Sequence, residues 1–505
     1  MPAVLPPPPA AIPVSEKPAA SPPKPAEPAK KEIQLLPLLV TVAVGCAIWF
    51  VPAPQGVKPE AWHLLAIFLA TILGIILKAA SMGTLCMMAI ALVAATGILA
   101  PGDPAKAITL ALRSFGDKVI WLIGISFFIA RGFIKTGLGS RIAYLFIKLF
   151  GKSSLGLAYS LGAADLLLAP AIPSNTARGG GIIYPIMKSM AMSLGSLPDQ
   201  PETHRKVGAY LTLNSYYMNL IGSAMFLTGT ASNPMCQKFA ADLGIKISWM
   251  SWFWAALVPG VASLLILPYL LYKIFPPELK ITPEAPAVAA GKLREMGPVT
   301  RNEWFMILAF VILLTLWITG DFFGIDATTT AFLGLTILLL TQVLTWEDVK
   351  AEKGAWDTIV WFATLVMMAG SLNELGFIPW FGRLIQTQLL GLSWTIAFPI
   401  IVLVYFLSHY LFASATAHVA AMYGALLAVG IAMGVPPLLL ALMLGFTGSL
   451  YGTLTHYAHG PAPVFFGSGY VDIKHWWTIG LAIGVALLLI WMGIGGLWWK
   501  VTGIY

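Results

Sequence analysis

Long apolar runs separated by short polar clusters fill the chain from about residue 33 onward. The runs Ile33 to Val51, Trp62 to Leu77, Leu85 to Leu99, Val119 to Ile134, Trp252 to Leu271, Trp304 to Ile318, Ala331 to Leu344 and Trp477 to Trp498 approach the roughly 20 residues a helix needs to cross a bilayer. Backbone polar groups in hydrocarbon must pair within their own segment, so these runs predict helices. The fold class that follows is all-α and polytopic.

The pattern also repeats. Pro173-Ser174-Asn175-Thr176-Ala177-Arg178 returns 240 residues later as Ala413-Ser414-Ala415-Thr416-Ala417-His418, and Asp117-Lys118-Val119-Ile120-Trp121 returns at the same offset as Asp357-Thr358-Ile359-Val360-Trp361. A duplicated membrane chain with a polar site in each half is the signature of a secondary transporter. After a first span within residues 33–56, one repeat covers 57–275, a polar linker 276–301, and a second repeat 302–505. Each repeat reads as two spans, a third led by Asp-x-x-x-Trp, a re-entrant hairpin bearing the polar motif, an interrupted span and a closing span.

If each hairpin returns to its own side, a repeat crosses five times and its copy inserts upside down. This gives an inverted repeat with about 11 transmembrane helices and two re-entrant hairpins. With the N-terminal tail inside and its lysines uncounted, sixteen Lys and Arg fall on the inner side against eight outside, in keeping with the positive-inside rule. The first hairpin then opens inward and the second outward.

Composition strengthens this picture. Hydrophobic residues make up 58% of the 505 positions and charged residues 10%, with a mean hydropathy of +0.82. The net charge of +8 resides in loops between spans, so it sets topology and draws anions, and nucleic acid is not expected as a partner. Cys46, Cys86 and Cys236 lack CxxC spacing and read as small apolar residues. Residues 1–32 are Pro/Ala-rich with too little apolar content to fold, which predicts a disordered tail.

The candidate chemistry lies at the hairpin tips and the interrupted spans. Pro173 breaks the first hairpin and Gly179-Gly180-Gly181 follows its motif, releasing backbone N–H groups that only protein or a wet cavity can satisfy. Helix N-termini there would present N–H donors to an anion, joined by Ser174, Asn175, Thr176, Ser414 and Thr416. The plainer reading is that such hydroxyls satisfy helix carbonyls or pack helices closely. Leu227 through Pro234 and Tyr451 through Pro463 supply the breaks, offering Thr230, Ser232, Asn233, Thr455 and His456. His456 and His459 have no acidic residue close in sequence, so a neutral imidazole donor is favoured over a metal pair; no cofactor or metal is expected. Asp117 and Asp357 head long spans, where an acidic residue supports a helix N-terminus.

The twin Ser-Asn-Thr-type motifs, the Thr228-Gly229-Thr230 break and the Gly460 to Tyr470 stretch resemble the divalent anion/sodium symporter family, nearest its plastidic 2-oxoglutarate/malate translocators. The resemblance covers roughly residues 35 to 505. It implies a homodimer embedded in membrane lipid, working as an elevator, with malate, 2-oxoglutarate and related dicarboxylates (succinate, fumarate, glutamate) as substrates contacted by the hairpin motifs. It also implies the plastid inner envelope, with a bacterial inner membrane as the alternative. Sodium-coupled relatives have Asn in both hairpin motifs, whereas Ala415 stands in the second here, which removes a side-chain oxygen from one expected sodium site. Arg178 and His418 occupy equivalent positions and are expected to supply the charge that sodium would otherwise bring, making sodium-independent exchange the expected activity, with sodium-coupled symport as the alternative. The competing reading pairs Arg178 with Asp165 or with hairpin carbonyls. An embedded enzyme is the rival class; with no His-Glu dipeptide, no Gly-x-Ser-x-Gly and no complete phosphate loop around Gly151-Lys152-Ser153, no enzyme is expected.

Overall fold

The computed structural model describes residues 33–388 and 393–505. The tail expected to be disordered lies outside the described residues. Every apolar run becomes a helix: Leu35–Phe50, Pro59–Ile76, Met82–Thr96, Lys118–Thr136, Trp249–Ile274, Arg301–Phe323, Ala327–Leu340 and Ile473–Ile490. Among the described residues eight helices are long and apolar enough to span a membrane, and no strand forms beyond one bridge between Ser153 and Ile281.

Local chemistry sets the helix ends. Ser81, Asp103, Asp117, Ser153, Asp326 and Asp472 are N-caps whose side chains accept a backbone N–H, and Ser248, Thr300 and Thr345 form capping boxes. Gly97, Gly137 and Gly324 end their helices in the left-handed conformation, which costs a residue without Cβ little.

The two halves correspond element by element. Lys118–Thr136 matches Lys353–Glu374, and both are enclosed, with 67% and 72% of their most apolar windows buried, whereas Arg301–Phe323 is 33% buried and turns its apolar side chains outward toward lipid. Hairpins follow in each half: Ser154–Leu168 with a return arm ending at Ser193, and Trp394–Ser408 with a return arm ending at Ala432. Then come the broken spans, Gly208–Met225 with Ser232–Asp242, and Pro437–Leu450 with Ala462–Phe466.

Three features depart from the sequence expectation. Shorter helices at Pro104–Leu112, Leu138–Phe150, Trp346–Ala351 and Phe377–Gln388 sit between the spans. The linker contains the helix Ala285–Glu295, and its end is tied down by Arg141, which donates to Gly297 O at 2.9 Å and pairs with buried Glu303 at 2.5 Å. Asp117 is an N-cap, as expected, but Asp357 lies inside a helix that begins at Lys353; its Oδ1 packs against Gly83, where a Cβ would sit 2.7 Å away.

The closing helices of the two halves repair one another. Pro259 has no N–H, so the carbonyl of Ala255 loses its helical partner. Trp499 Nε1 donates to that carbonyl at 2.8 Å, and Trp498 Nε1 donates to Trp254 O at 2.8 Å.

Candidate functional site

The hairpin tips are built alike. Ser174 Oγ accepts from Ala177 N at 3.2 Å and Ser414 Oγ from Ala417 N at 3.3 Å. The backbone N–H groups of Arg178 and His418 return to the carbonyls of Ser174 and Ser414 at 2.9 and 3.1 Å. Each return arm therefore starts from a serine cap, and each passes through a widened π-helical stretch, Thr176–Ile183 and Val419–Tyr423, of the kind that recurs at functional sites. Ser174, Ser414 and Thr416 are half-buried and Thr176 is exposed.

Four segments converge. Asn175 Nδ2 lies 2.6 Å from His459 Nδ1, joining the first hairpin to the second break. A Cβ on Gly460 would overlap Thr176 Oγ1, so only glycine lets the first tip lie against that break. Tyr451 donates its hydroxyl to Ala415 O at 3.0 Å, joining the second hairpin to the same break. On the first break, Gly229 O accepts from Arg178, and the Ser232–Asp242 helix beyond it meets the second hairpin through Phe239 and Tyr423.

Arg178 and His418 both point inward. Arg178 is fully buried, and all five of its N–H donors are engaged: Nε with Asp165 at 3.1 Å, Nη1 with Ile172 O at 2.7 Å and Gly229 O at 3.0 Å, Nη2 with Asn219 O at 3.4 Å and Ser223 Oγ at 2.7 Å. Of the two sequence readings, the structure places Arg178 in the pairing with Asp165, and it leaves no N–H for an anion. The other Asp165 oxygen accepts from Asn219 Nδ2 at 2.8 Å, and Gly179 passes so close to Asn219 that a Cβ would meet it at 2.9 Å.

His418 is likewise buried, with Nε2 on Ser408 Oγ at 2.9 Å and Nδ1 on His409 Nδ1 at 3.1 Å. His409 Nε2 faces the Ala458 carbonyl at 2.8 Å and must donate to it. In the neutral pair His409 Nδ1 then accepts from His418, and the His418 Nε2 lone pair faces the Ser408 hydroxyl, whose one proton is shared between it and Tyr405 O at 3.0 Å. Tyr405, Phe412 and Tyr451 surround His418, with ring centroids within 4.8 Å. His409 has no counterpart in the first motif, and no sequence spacing pointed to it.

The breaks hold most of the unpaired polarity. Twelve of the fifteen buried side-chain polar atoms without a partner, among the described residues, lie on the two broken spans. They include the hydroxyls of Ser232 and Thr455, which occupy matching places three residues beyond Gly229 and Gly452. Buried hydroxyls without partners cost free energy unless something from outside meets them. Thr230 is buried within the first break. Asn233 instead spends its amide on Ser223 O at 2.7 Å and Phe226 O at 2.8 Å, closing the end of the preceding helix. His456 sits to one side, accepting from Trp477 Nε1 at 3.1 Å, its ring tilted against Phe466. No three His, Cys, Asp or Glu side chains among the described residues form a metal-holding group.

Known proteins are similar to this chain over nearly its whole length. The family described as "Sodium:sulfate symporter transmembrane region" matches residues 32–505. YflS of Bacillus subtilis is 54% identical over 94% of this chain and 98% of its own. Dicarboxylate transporter 1, chloroplastic, of Spinacia oleracea is 48% identical over 93% of this chain and 82% of its own, and the Arabidopsis thaliana protein of the same name is 47% identical over 93% and 83%. The crystal structure of the YdaH transporter of Alcanivorax borkumensis shares the fold, with a TM-score of 0.54 at 14% identity over 93% of this chain and 97% of that one.

Proposed function

We propose, because the chain belongs to the sodium:sulfate symporter transmembrane family, whose members are transporters and not enzymes, that this multi-pass membrane protein exchanges dicarboxylates without sodium. The substrate class is that named for the spinach and Arabidopsis relatives at 48% and 47% identity. Within it, 2-oxoglutarate and malate are the proposed pair, following the motif resemblance.

One observation supports exchange over sodium symport. The Arg178 guanidinium lies among three backbone carbonyls, a hydroxyl and a carboxylate, an oxygen set of the kind that suits a hard cation. A fixed side-chain cation fills the nest, so no free ion is needed there. The substrate-facing set is then Ser174, Thr176, Ser414 and Thr416 at the tips with Ser232, Thr455 and Thr230 at the breaks, while Arg178, His418 and Asn233 hold the tips and breaks in shape. The two hairpins and two broken spans form the unit that moves, within a homodimer, as an elevator past the other helices. Plastid and Bacillus relatives are both similar over nearly the whole chain, at 48% and 54% identity, in keeping with a plastid inner envelope and with the alternative of a bacterial inner membrane.

Vesicles loaded with malate provide the test. Uptake of labelled 2-oxoglutarate should require internal dicarboxylate and be the same in sodium and potassium media. Sodium-driven uptake into empty vesicles would overturn the exchange reading.

A further inference from the structure

We infer that His459, a residue of the second break, contacts the substrate by donating its Nε2–H to a carboxylate, and that Asn175 is the positioning residue that fixes the proton on that nitrogen. The inference rests on the dicarboxylate reading above.

The tautomer follows from two donors on one nitrogen. His459 Nδ1 faces Asn175 Nδ2 at 2.6 Å and also accepts the backbone N–H of Gly460 at 3.2 Å. The backbone donor cannot be reversed, so Nδ1 carries the lone pair and the proton of a neutral ring sits on Nε2. That Nε2–H is buried and meets no acceptor. The other buried histidines behave differently: His409 Nε2 has the Ala458 carbonyl, and both nitrogens of His418 are engaged. A histidine serving only the core would find such a partner, since an unmet buried donor is costly.

Position agrees with the chemistry. Gly460, the next residue, is exposed, and so is Thr176, which lies against it. The free donor is thus one residue inward from the exposed edge where the first tip meets the second break. The unpaired Thr455 hydroxyl lies four residues before it on the same break. A neutral N–H at this place can hydrogen-bond either end of a dianion and release it without leaving a charge behind.

Full-length protein in vesicles, assayed for exchange of malate and 2-oxoglutarate and for the rise in melting temperature each dianion causes, provides the test. His459→Ala should raise KM for both at least tenfold while the ligand-free melting temperature stays within a few degrees. His459→Gln, which restores an N–H near the Nε2 position, should recover part of the affinity. Asn175→Asp draws the proton to Nδ1 and leaves a lone pair on Nε2, so it should lose affinity although its volume is nearly unchanged, and the ring nitrogen signals of His459 should report the reversed tautomer. Wild-type KM in folded His459→Ala or Asn175→Asp, beside a wild type that responds normally, would refute this assignment alone. A wild type indifferent to both dianions would fail the dicarboxylate reading, and this assignment with it.

Discussion

Arg178 Nε lies 3.1 Å from Asp165 Oδ2, and neither side chain has measurable access to solvent beyond 1%. The pair joins the two arms of the first hairpin, and through Gly229 O it also fastens the first break. Removing one member of a buried pair strands the other charge, at about 3–5 kcal/mol. Arg178→Gln is therefore expected to lower stability by that order, and Arg178→Lys to rescue little, because an ammonium cannot fill a five-donor fork. The double variant Arg178→Met/Asp165→Leu should be more stable than Arg178→Gln. Thermal unfolding in detergent would check all three; a fully stable Arg178→Gln would contradict the clamp.

Ser174→Ala and Ser414→Ala should each cost about 1 kcal/mol of stability, the usual value of an N-cap. The two losses should be alike, because the capping distances differ by only 0.1 Å. Melting curves of the two single variants make the comparison.

Gly460→Ala should displace the first hairpin tip, because the new methyl group overlaps Thr176 Oγ1. Adding Thr176→Ala removes that oxygen and should restore most of the melting temperature. If Gly460→Ala alone melts like the wild type, the close approach of tip and break is wrong.

Trp499→Phe keeps an aromatic ring, smaller than the buried indole, and removes the donor that serves Ala255 O across from Pro259. The carbonyl is then left unmet in an apolar setting, at about 1–3 kcal/mol. Substituting Pro259 by Ala in the same protein restores the helical N–H, so the double variant should regain that stability.

Acid should weaken one contact between the end of the Lys118–Thr136 span and the short Trp346–Ala351 helix. A hydrogen bond from Lys135 at 2.6 Å, with the Thr345 cap beside it, holds the Asp348 carboxyl at about 2, below its ordinary 3.8. A carboxylate lowered on folding contributes its stability above about pH 4 and loses it as pH falls toward 2. Asp348→Asn should remove this part of the acid sensitivity, which is measurable as a flatter stability profile across that window.

Hydropathy made the spans legible, since a bilayer leaves no other way to satisfy their backbone, and the duplicated motifs located both hairpins. Direction was not legible. The order Thr176-Ala177-Arg178 left substrate and Asp165 both open as partners of the guanidinium, and the His418 contact with His409 depends on a hairpin closing between them. Asp357 shares its offset with Asp117, yet it falls inside a helix because four residues ahead of it, starting at Lys353, are also helical. The helices between spans were missed because short, half-polar segments lack a full span's hydropathy, although Asp103 and Thr345 cap two of them. Asn175 and His459 meet across 284 residues, a separation that no local pattern records.

That separation has a consequence for how the protein is made. At a synthesis rate of about 5–20 residues per second, the ribosome takes on the order of 15–60 s to travel from Asn175 to its partner 284 residues away. Throughout that interval the first hairpin is in the membrane with its tip unfinished. Separately expressed halves should therefore recover function only when both are made together.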